Sequence, residues 1–153
     1  KIVIAPRHIE RSGAIKQLAE TNGYSAGLFS EKDFDKDVLI MDAFGKLEGL
    51  YLLADKIFIG GSLVSVGGHN IYEALQFKKT AGVGKYMFSF KEIYEDALKF
   101  NVTEEISPQN ARLWLHRDNT GGSDKNFLDF FREIDKKNNR TINTVTDMIK
   151  SVI

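Results

Sequence analysis

The chain alternates short apolar runs with stretches of helical period, and this alternation constrains its fold more than any other feature. The runs are Ile2 to Ala5, Tyr24 to Phe29, Val38 to Met41, Ile57 to Ile59 and Thr80 to Val83, with a further segment at Val102 to Ile106. Between the first two, Glu10 to Asn22 carries Ile15, Leu18 and Ala19 at helical spacing, and Gly23 is placed to stop the helix at its C′ position. Gly45 to Ala54 carries Leu47, Leu50, Tyr51 and Ala54 at i, i+3, i+4 and i+7 positions. His69 to Phe77 and Phe88 to Phe100 supply two more crossovers. Strand, helix, strand in this order is the pattern of βαβ units, so the chain is predicted to be α/β, with a Rossmann-like parallel sheet flanked by helices over residues 1–106. After Pro108 no strand pattern remains. Residues 107–153 read as a helical tail, with helices near Asn110 to His116, Lys125 to Lys136 and Arg140 to Ile153, punctuated by Asn119-Thr120-Gly121-Gly122-Ser123.

A length of 153 residues suits one domain. Lysine plus arginine and aspartate plus glutamate both number 21, so the formal charge is zero and bulk phosphate neutralisation of a nucleic acid is not expected. A local anion site is compatible with that balance. Absence of cysteine excludes a disulfide framework, a Cys-ligated zinc, an iron–sulfur cluster and a Cys nucleophile. The longest strictly apolar run, Leu50 to Ala54, falls far short of the ~20 residues of a membrane helix. Asn101-Val102-Thr103 and Asn139-Arg140-Thr141 match the glycosylation pattern, which is short enough to arise by chance. The chain starts at Lys1 and enters a strand at once, and so reads as a piece of a longer protein.

In a parallel α/β sheet, ligands bind beyond the carboxyl ends of the strands, and three clusters follow such ends. Pro6-Arg7-His8-Ile9-Glu10-Arg11 pairs a stiffening proline with a guanidinium whose donor fork suits phosphate; the plainer alternative is a solvated turn with a capping charge. Asp42-Ala43-Phe44-Gly45-Lys46 combines a glycine that allows close backbone approach, a helix N-terminus, and a phenylalanine that could face a base, although phenylalanine is more often core. The third cluster runs from Gly60 to Glu73 and includes Gly61, Ser62, Gly67, Gly68 and His69 as a candidate phosphate or donor loop. Asn70 and Glu73 sit on one face of the expected helix, an amide and a carboxylate suited to a ribose diol, although Glu73 also fits a capping box. This loop is neither a GxGxxG fingerprint nor a P-loop. His69 and Glu73 stand at i, i+4, but two ligands without a third do not make a metal site. No serine lies on a nucleophile elbow.

In their order and separation, the three clusters resemble the nucleotide-binding half of the bacterial 3-deoxy-D-manno-octulosonic acid (Kdo) transferases. That family carries Pro-Arg-His-x-Glu-Arg, then Asp-Thr-x-Gly-Glu-Leu, then Gly-Gly-Ser-Leu-Val…Gly-Gly-His-Asn-x-x-Glu. The resemblance covers roughly residues 1–100, including Lys85 to Phe90. Lys46 stands where the family has Glu, Ala43 where it has Thr, and Tyr72-Glu73-Ala74 where it has Leu-Glu-Pro.

The resemblance implies the C-terminal half of a GT-B glycosyltransferase that moves Kdo from CMP-Kdo to a lipid A precursor, without a metal or other cofactor. Residues 1–153 would then be one nucleotide-sugar-binding domain. Carried over by position, Pro6, Arg7, Phe44, Gly45, Lys46, Asn70, Ile71, Tyr72 and Glu73 would bind CMP. The catalytic base would be a glutamate of an N-terminal domain, so no catalytic residue is expected in this chain. The parent enzyme would lie at the cytoplasmic face of the bacterial inner membrane, and nucleic acid would not be a partner. Two alternatives remain: another GT-B enzyme, such as a UDP-sugar transferase or UDP-sugar 2-epimerase, and a non-catalytic α/β interaction module.

Overall fold

A computed structural model of the protein describes residues 1–117 and 121–150. Asn119 and Thr120 of the expected loop, and residues 151–153 of the expected last helix, lie outside the described residues. The chain forms two compact units, residues 1–50 and 51–153. All six expected strands are present, paired as two parallel sheets of three.

In the first unit, β1 (Ile2–Ile4), β2 (Ala26–Leu28) and β3 (Val38–Ile40) pair in the order β1-β3-β2, with Ile2 and Ala26 both opposite Val38. A 3-10 turn over Ile9–Arg11 leads into α1 (Ser12–Thr21), which packs on β2 and β3. Gly23, at φ +84°, ends the helix as its position predicts. Ala26, Val38 and Ile40 form a small core with Ile4, Ile15, Ala19 and Leu28 around them. Two aspartates pin the β2–β3 pair at its ends. Asp37 accepts from the Ser25 N–H at 3.0 Å and the Ser25 hydroxyl at 2.6 Å, and Asp42 accepts from the Ser30 N–H at 2.9 Å.

In the second unit, β4 (Ile57–Ile59), β5 (Ala81–Val83) and β6 (Thr103–Glu105) pair in chain order. The α2 helix (Leu47–Leu53) crosses the chain position where the units divide; the rest of the second unit comprises α3 (Tyr72–Leu75), α4 (Lys91–Lys99), α5 (Ala111–His116) and α6 (Asp124–Lys150). Its core joins Ile57, Ile59, Ile71, Leu75, Val83 and Val102 to Phe127, Phe130 and Ile134 of α6. Trp114 of α5 lies over β5, where a Cβ on Gly82 would stand 2.7 Å from the indole. Only a glycine admits that ring.

Two helical expectations are corrected. The helix expected over His69 to Phe77 is confined to the four residues Tyr72–Leu75. Gly67 and Gly68 at positive φ hold the chain outside helical geometry before it, and Lys78 at φ +53° turns the chain away after it. The two tail helices expected over 125–136 and 140–153 are one continuous helix, Asp124–Lys150. No glycine or proline interrupts residues 124–150. The hydroxyls of Thr141, Thr144 and Thr146 donate to the carbonyls of Lys137, Arg140 and Ile142 at 3.2, 3.0 and 2.8 Å, so these residues are satisfied within the helix. Lys137 is also tied to the buried Asp96 of α4.

Candidate functional site

β1 and β3 are adjacent and parallel, so the turns after them leave from the same edge of the first sheet, joined by the Met41 N–H donating to Ile4 O at 2.8 Å. That brings Pro6 and Arg7 to the edge that also carries Phe44, Gly45 and Lys46. Pro6 is half-buried and fixes the exit from β1. Arg7 is exposed and makes no ion pair among the described residues. Beside it, His8 Nδ1 lies 3.4 Å from Glu10 Oε1. Phe44 is 76% exposed, the reverse of the core position its residue type favours. Gly45 adopts φ +72° in open space, so backbone conformation rather than crowding calls for glycine there. Lys46 is exposed at the start of α2. The hydrogen bonds from Ser30 hold the Asp42 carboxyl below the usual carboxylate range, which fixes it as a charged clamp under this edge.

The second unit repeats the arrangement with a closed glycine loop. β4 and β5 are parallel neighbours, and the loop after β4 is stitched to the segment after β5. Ser62 is fully buried; its hydroxyl donates to Ile59 O at 2.6 Å and accepts from the Gly84 N–H at 2.8 Å. Ser62 O accepts from the Tyr86 N–H at 2.9 Å, and Gly67 O from the Ser89 N–H at 3.1 Å. The Gly68 N–H closes back on Gly61 O at 2.9 Å. Crowding forces the glycines here, since a Cβ on Gly67 would fall 2.1 Å from Ser89 Oγ and one on Gly68 2.3 Å from Met87 Sδ. The Ser62 hydroxyl is therefore spent on holding the loop, while the tip residues Leu63, Val64 and Val66 stay exposed. Gly84, whose N–H meets the Ser62 hydroxyl, lies outside the residues the sequence points to; its place directly after the β5 run was the available signal.

The loop delivers His69, Asn70, Ile71, Tyr72 and Glu73 in sequence. The His69 ring lies against the loop's start, with its Nε2 3.3 Å from where a Gly61 Cβ would be. Asn70 Oδ1 accepts from the Tyr72 N–H at 3.1 Å, and Asn70 Nδ2 donates to Glu73 Oε1 at 3.1 Å. Glu73 therefore meets the Asn70 side chain and does not form the backbone half of a capping box. Ile71 is fully buried and anchors this turn in the core, Tyr72 packs edge-on against Phe131 with ring centroids 6.1 Å apart, and Glu73 is exposed. An amide and a carboxylate locked together at the surface present both donors and acceptors, a match for paired hydroxyls. Among the described residues, no group of three or more His, Asp or Glu is placed to hold a metal ion. A cleft of about 220 Å³ lined by Thr80, Asn101, Thr103, Glu104, Arg117 and Gly121 lies where β5 and β6 begin, the opposite strand ends from the glycine loop.

Both edges have the form of the ligand-facing side of a Rossmann-like nucleotide-binding domain. No family model matches the chain. It is similar to the 3-deoxy-D-manno-octulosonic acid transferase of Chlamydia muridarum, with 41% identity over 72% of this chain and 26% of that protein. It is also similar to that of Haemophilus influenzae, with 34% identity over 69% of this chain and 26% of that protein. A bifunctional glycosyltransferase/methyltransferase of Fusobacterium nucleatum matches at 28% identity over 99% of this chain and 26% of its own length. The fold matches a solved structure, the C-terminal CMP-Kdo binding domain of WaaA from Acinetobacter baumannii, with a TM-score of 0.65 and 23% identity over 90% of this chain and 67% of that one. The chain is a relative of the Kdo transferases. It spans about a quarter of the length of the curated relatives it matches.

Proposed function

We propose that the chain is the donor-binding domain of a glycosyltransferase that holds CMP-Kdo and supplies Kdo to a lipid A precursor. The observation that carries this reading is the Gly60–Glu73 loop, stitched shut by Ser62 and Gly84 and ending in the Asn70–Glu73 pair. Its residues are those of the Kdo transferase motif.

Each part of CMP has a matching group. Arg7 is a free guanidinium for the phosphate, whose negative charge persists as CMP leaves the sugar. Glu73 and Asn70 suit the ribose hydroxyls. Phe44, Gly45 and Lys46 offer an apolar face, an open backbone and a cation beside the base or phosphate. Donor binding requires no metal in this reading. The acceptor, and the base that takes its proton, belong to an N-terminal domain of the whole enzyme, which works at the cytoplasmic face of the inner membrane. This chain alone is then expected to give no product from CMP-Kdo and lipid acceptor.

Calorimetric titration of the chain with CMP, UMP and AMP tests the reading. Binding of CMP in preference to UMP and AMP, unchanged by EDTA, supports it. Preference for UMP transfers the domain to the UDP-sugar enzymes, and the lack of any binding leaves an interaction module. The Fusobacterium nucleatum relative, which matches almost the whole chain, favours a second setting in which the same domain serves a two-activity protein. CMP binding is common to both settings, and the length of the gene product separates them.

A further inference from the structure

The turn between β1 and α1 carries a cation that the proposed site has not used. Arg7 and Arg11 stand four residues apart in that turn, both are exposed, and neither guanidinium has an ion pair or hydrogen bond among the described residues. The acid between them, Glu10, lies against His8, its Oε1 3.4 Å from Nδ1. An unpaired arginine at a surface is ordinary, but the backbone under Arg11 is tightly held. Its N–H donates to His8 O at 3.0 Å, and the next residue, Ser12, is buried and donates its N–H to Ile9 O. The chain is fixed on both sides of Arg11 while the guanidinium stays out in solvent. A second observation lies two residues on. Gly13 is the second residue of α1; it is exposed, its φ is not positive, and a Cβ there would meet no neighbour within 4 Å. Neither crowding nor backbone conformation calls for glycine, although glycine weakens a helix. What its missing side chain supplies is close approach to the first turn of α1, where the positive end of the helix dipole favours an anion.

We propose that Arg11, beside the open first turn of α1 at Gly13, takes the carboxylate of the donor's sugar, and so selects an acidic sugar where Arg7 selects only a phosphate. The inference rests on the reading that this chain holds CMP-Kdo. That donor is the nucleotide ester of a sugar acid, so it carries two anions, the phosphodiester and the carboxylate, and Arg7 answers one of them. A guanidinium presents a planar fork that meets a carboxylate through two parallel hydrogen bonds, which the point charge of Lys46 on the neighbouring turn does not. The two arginines share one turn, as the two anions are joined through one sugar.

The test titrates two ligands, CMP-Kdo and cytidine 5′-(methyl phosphate), into the wild-type chain, Arg11→Gln and Gly13→Ala. The methyl ester keeps the phosphodiester and lacks the sugar acid. Arg11→Gln is expected to weaken CMP-Kdo about ten- to hundredfold, the range of a charge-assisted pair, and to leave the methyl ester within about twofold. Gly13→Ala is expected to raise the thermal midpoint, as alanine does at an unstrained helical site, and yet to weaken CMP-Kdo, because its methyl group occupies the approach. Unchanged CMP-Kdo affinity in either variant, or equal losses for both ligands, overturns the inference and leaves the donor reading standing. Failure of the wild type to bind CMP-Kdo overturns the donor reading, and the inference with it.

Discussion

Ser62 and Gly84 are 22 positions apart and in direct contact: the Gly84 N–H donates to Ser62 Oγ at 2.8 Å, and a Cβ on Gly84 would fall 2.2 Å from Ser62 O. The three atoms nearest that Cβ are all backbone, so no flexible side-chain end can yield there. Gly84→Ala is expected to destabilise the chain by ~1–3 kcal/mol, the usual cost of overpacking. Ser62→Ala, which leaves the Gly84 N–H buried without its partner, is expected to cost ~1–3 kcal/mol as well. Urea unfolding measures both, and an unchanged midpoint in Gly84→Ala would show that the loop is not closed this way.

Arg7→Ala is expected to weaken CMP by the ~1.5–3 kcal/mol of a charge-assisted bond and to leave cytidine, which has no phosphate, nearly unaffected. Calorimetry with the two ligands reads the difference directly. Equal losses for both would remove the phosphate from Arg7.

Glu73→Gln is expected to weaken CMP and cytidine alike, because both carry the ribose, while thermal stability holds, since Glu73 is exposed. A loss of stability with no change in either affinity would make Glu73 a purely structural residue.

Acid should act on the first unit through Asp37 and Asp42. Serine hydrogen bonds, chiefly those from the side chains of Ser25 and Ser30, lower both carboxyls from their ordinary value. A group with a depressed folded pKa stabilises above its unfolded value of ~3.9, and that contribution is lost as pH falls through the lower folded value. Ser30→Ala is therefore expected to reduce stability at neutral pH and to flatten its fall as the pH drops below the ordinary carboxylate value of about 4. Parallel unfolding curves for wild type and variant across that range would contradict this role for Asp42.

The two halves of α6 are expected to respond differently to truncation. Phe130 is fully buried, and Phe130→Ala should cost ~3–5 kcal/mol. Val145 lies on the distal half at 48% exposure, and Val145→Ala should stay within about 0.5 kcal/mol. Matching losses at the two sites would mean that the distal half is packed as well.

The strands were legible because a buried parallel strand must be apolar almost throughout, and each run from Ile2 to Val83 became one. Their division into two sheets of three was not legible, since apolar runs report burial and not which neighbour they pair with. Helix extents failed where local rules met competing contacts. Residues 137–139 fall between the two predicted tail helices, but Lys137 is paired to Asp96 and the helix carries through. His69 and Asn70 read as helical, yet positive-φ glycines and the Asn70 hydrogen bond to the Tyr72 N–H hold them outside α3. At the site, Asn70 and Glu73 do meet, through the hydrogen bond from Asn70 Nδ2 to Glu73 Oε1, but with Asn70 in the turn before α3 and not on one helix face with Glu73. The burial of Ser62 and the exposure of Phe44 could not be read, because residue type sets only an average burial.

The closed glycine loop also determines where this domain can diverge. Its base is fastened through Ser62 to Gly84 and Tyr86, through Gly67 to Ser89, and through Gly68 back to Gly61, so a substitution or a length change there must break a fastening. Its tip, Leu63 to Val66, is exposed, and the hydrogen bonds that close the base come from residues on either side of it. Sequence drift can therefore be absorbed at the tip while the frame that carries Asn70 and Glu73 stays in register, which lets related domains alter the rim of the site without rebuilding it.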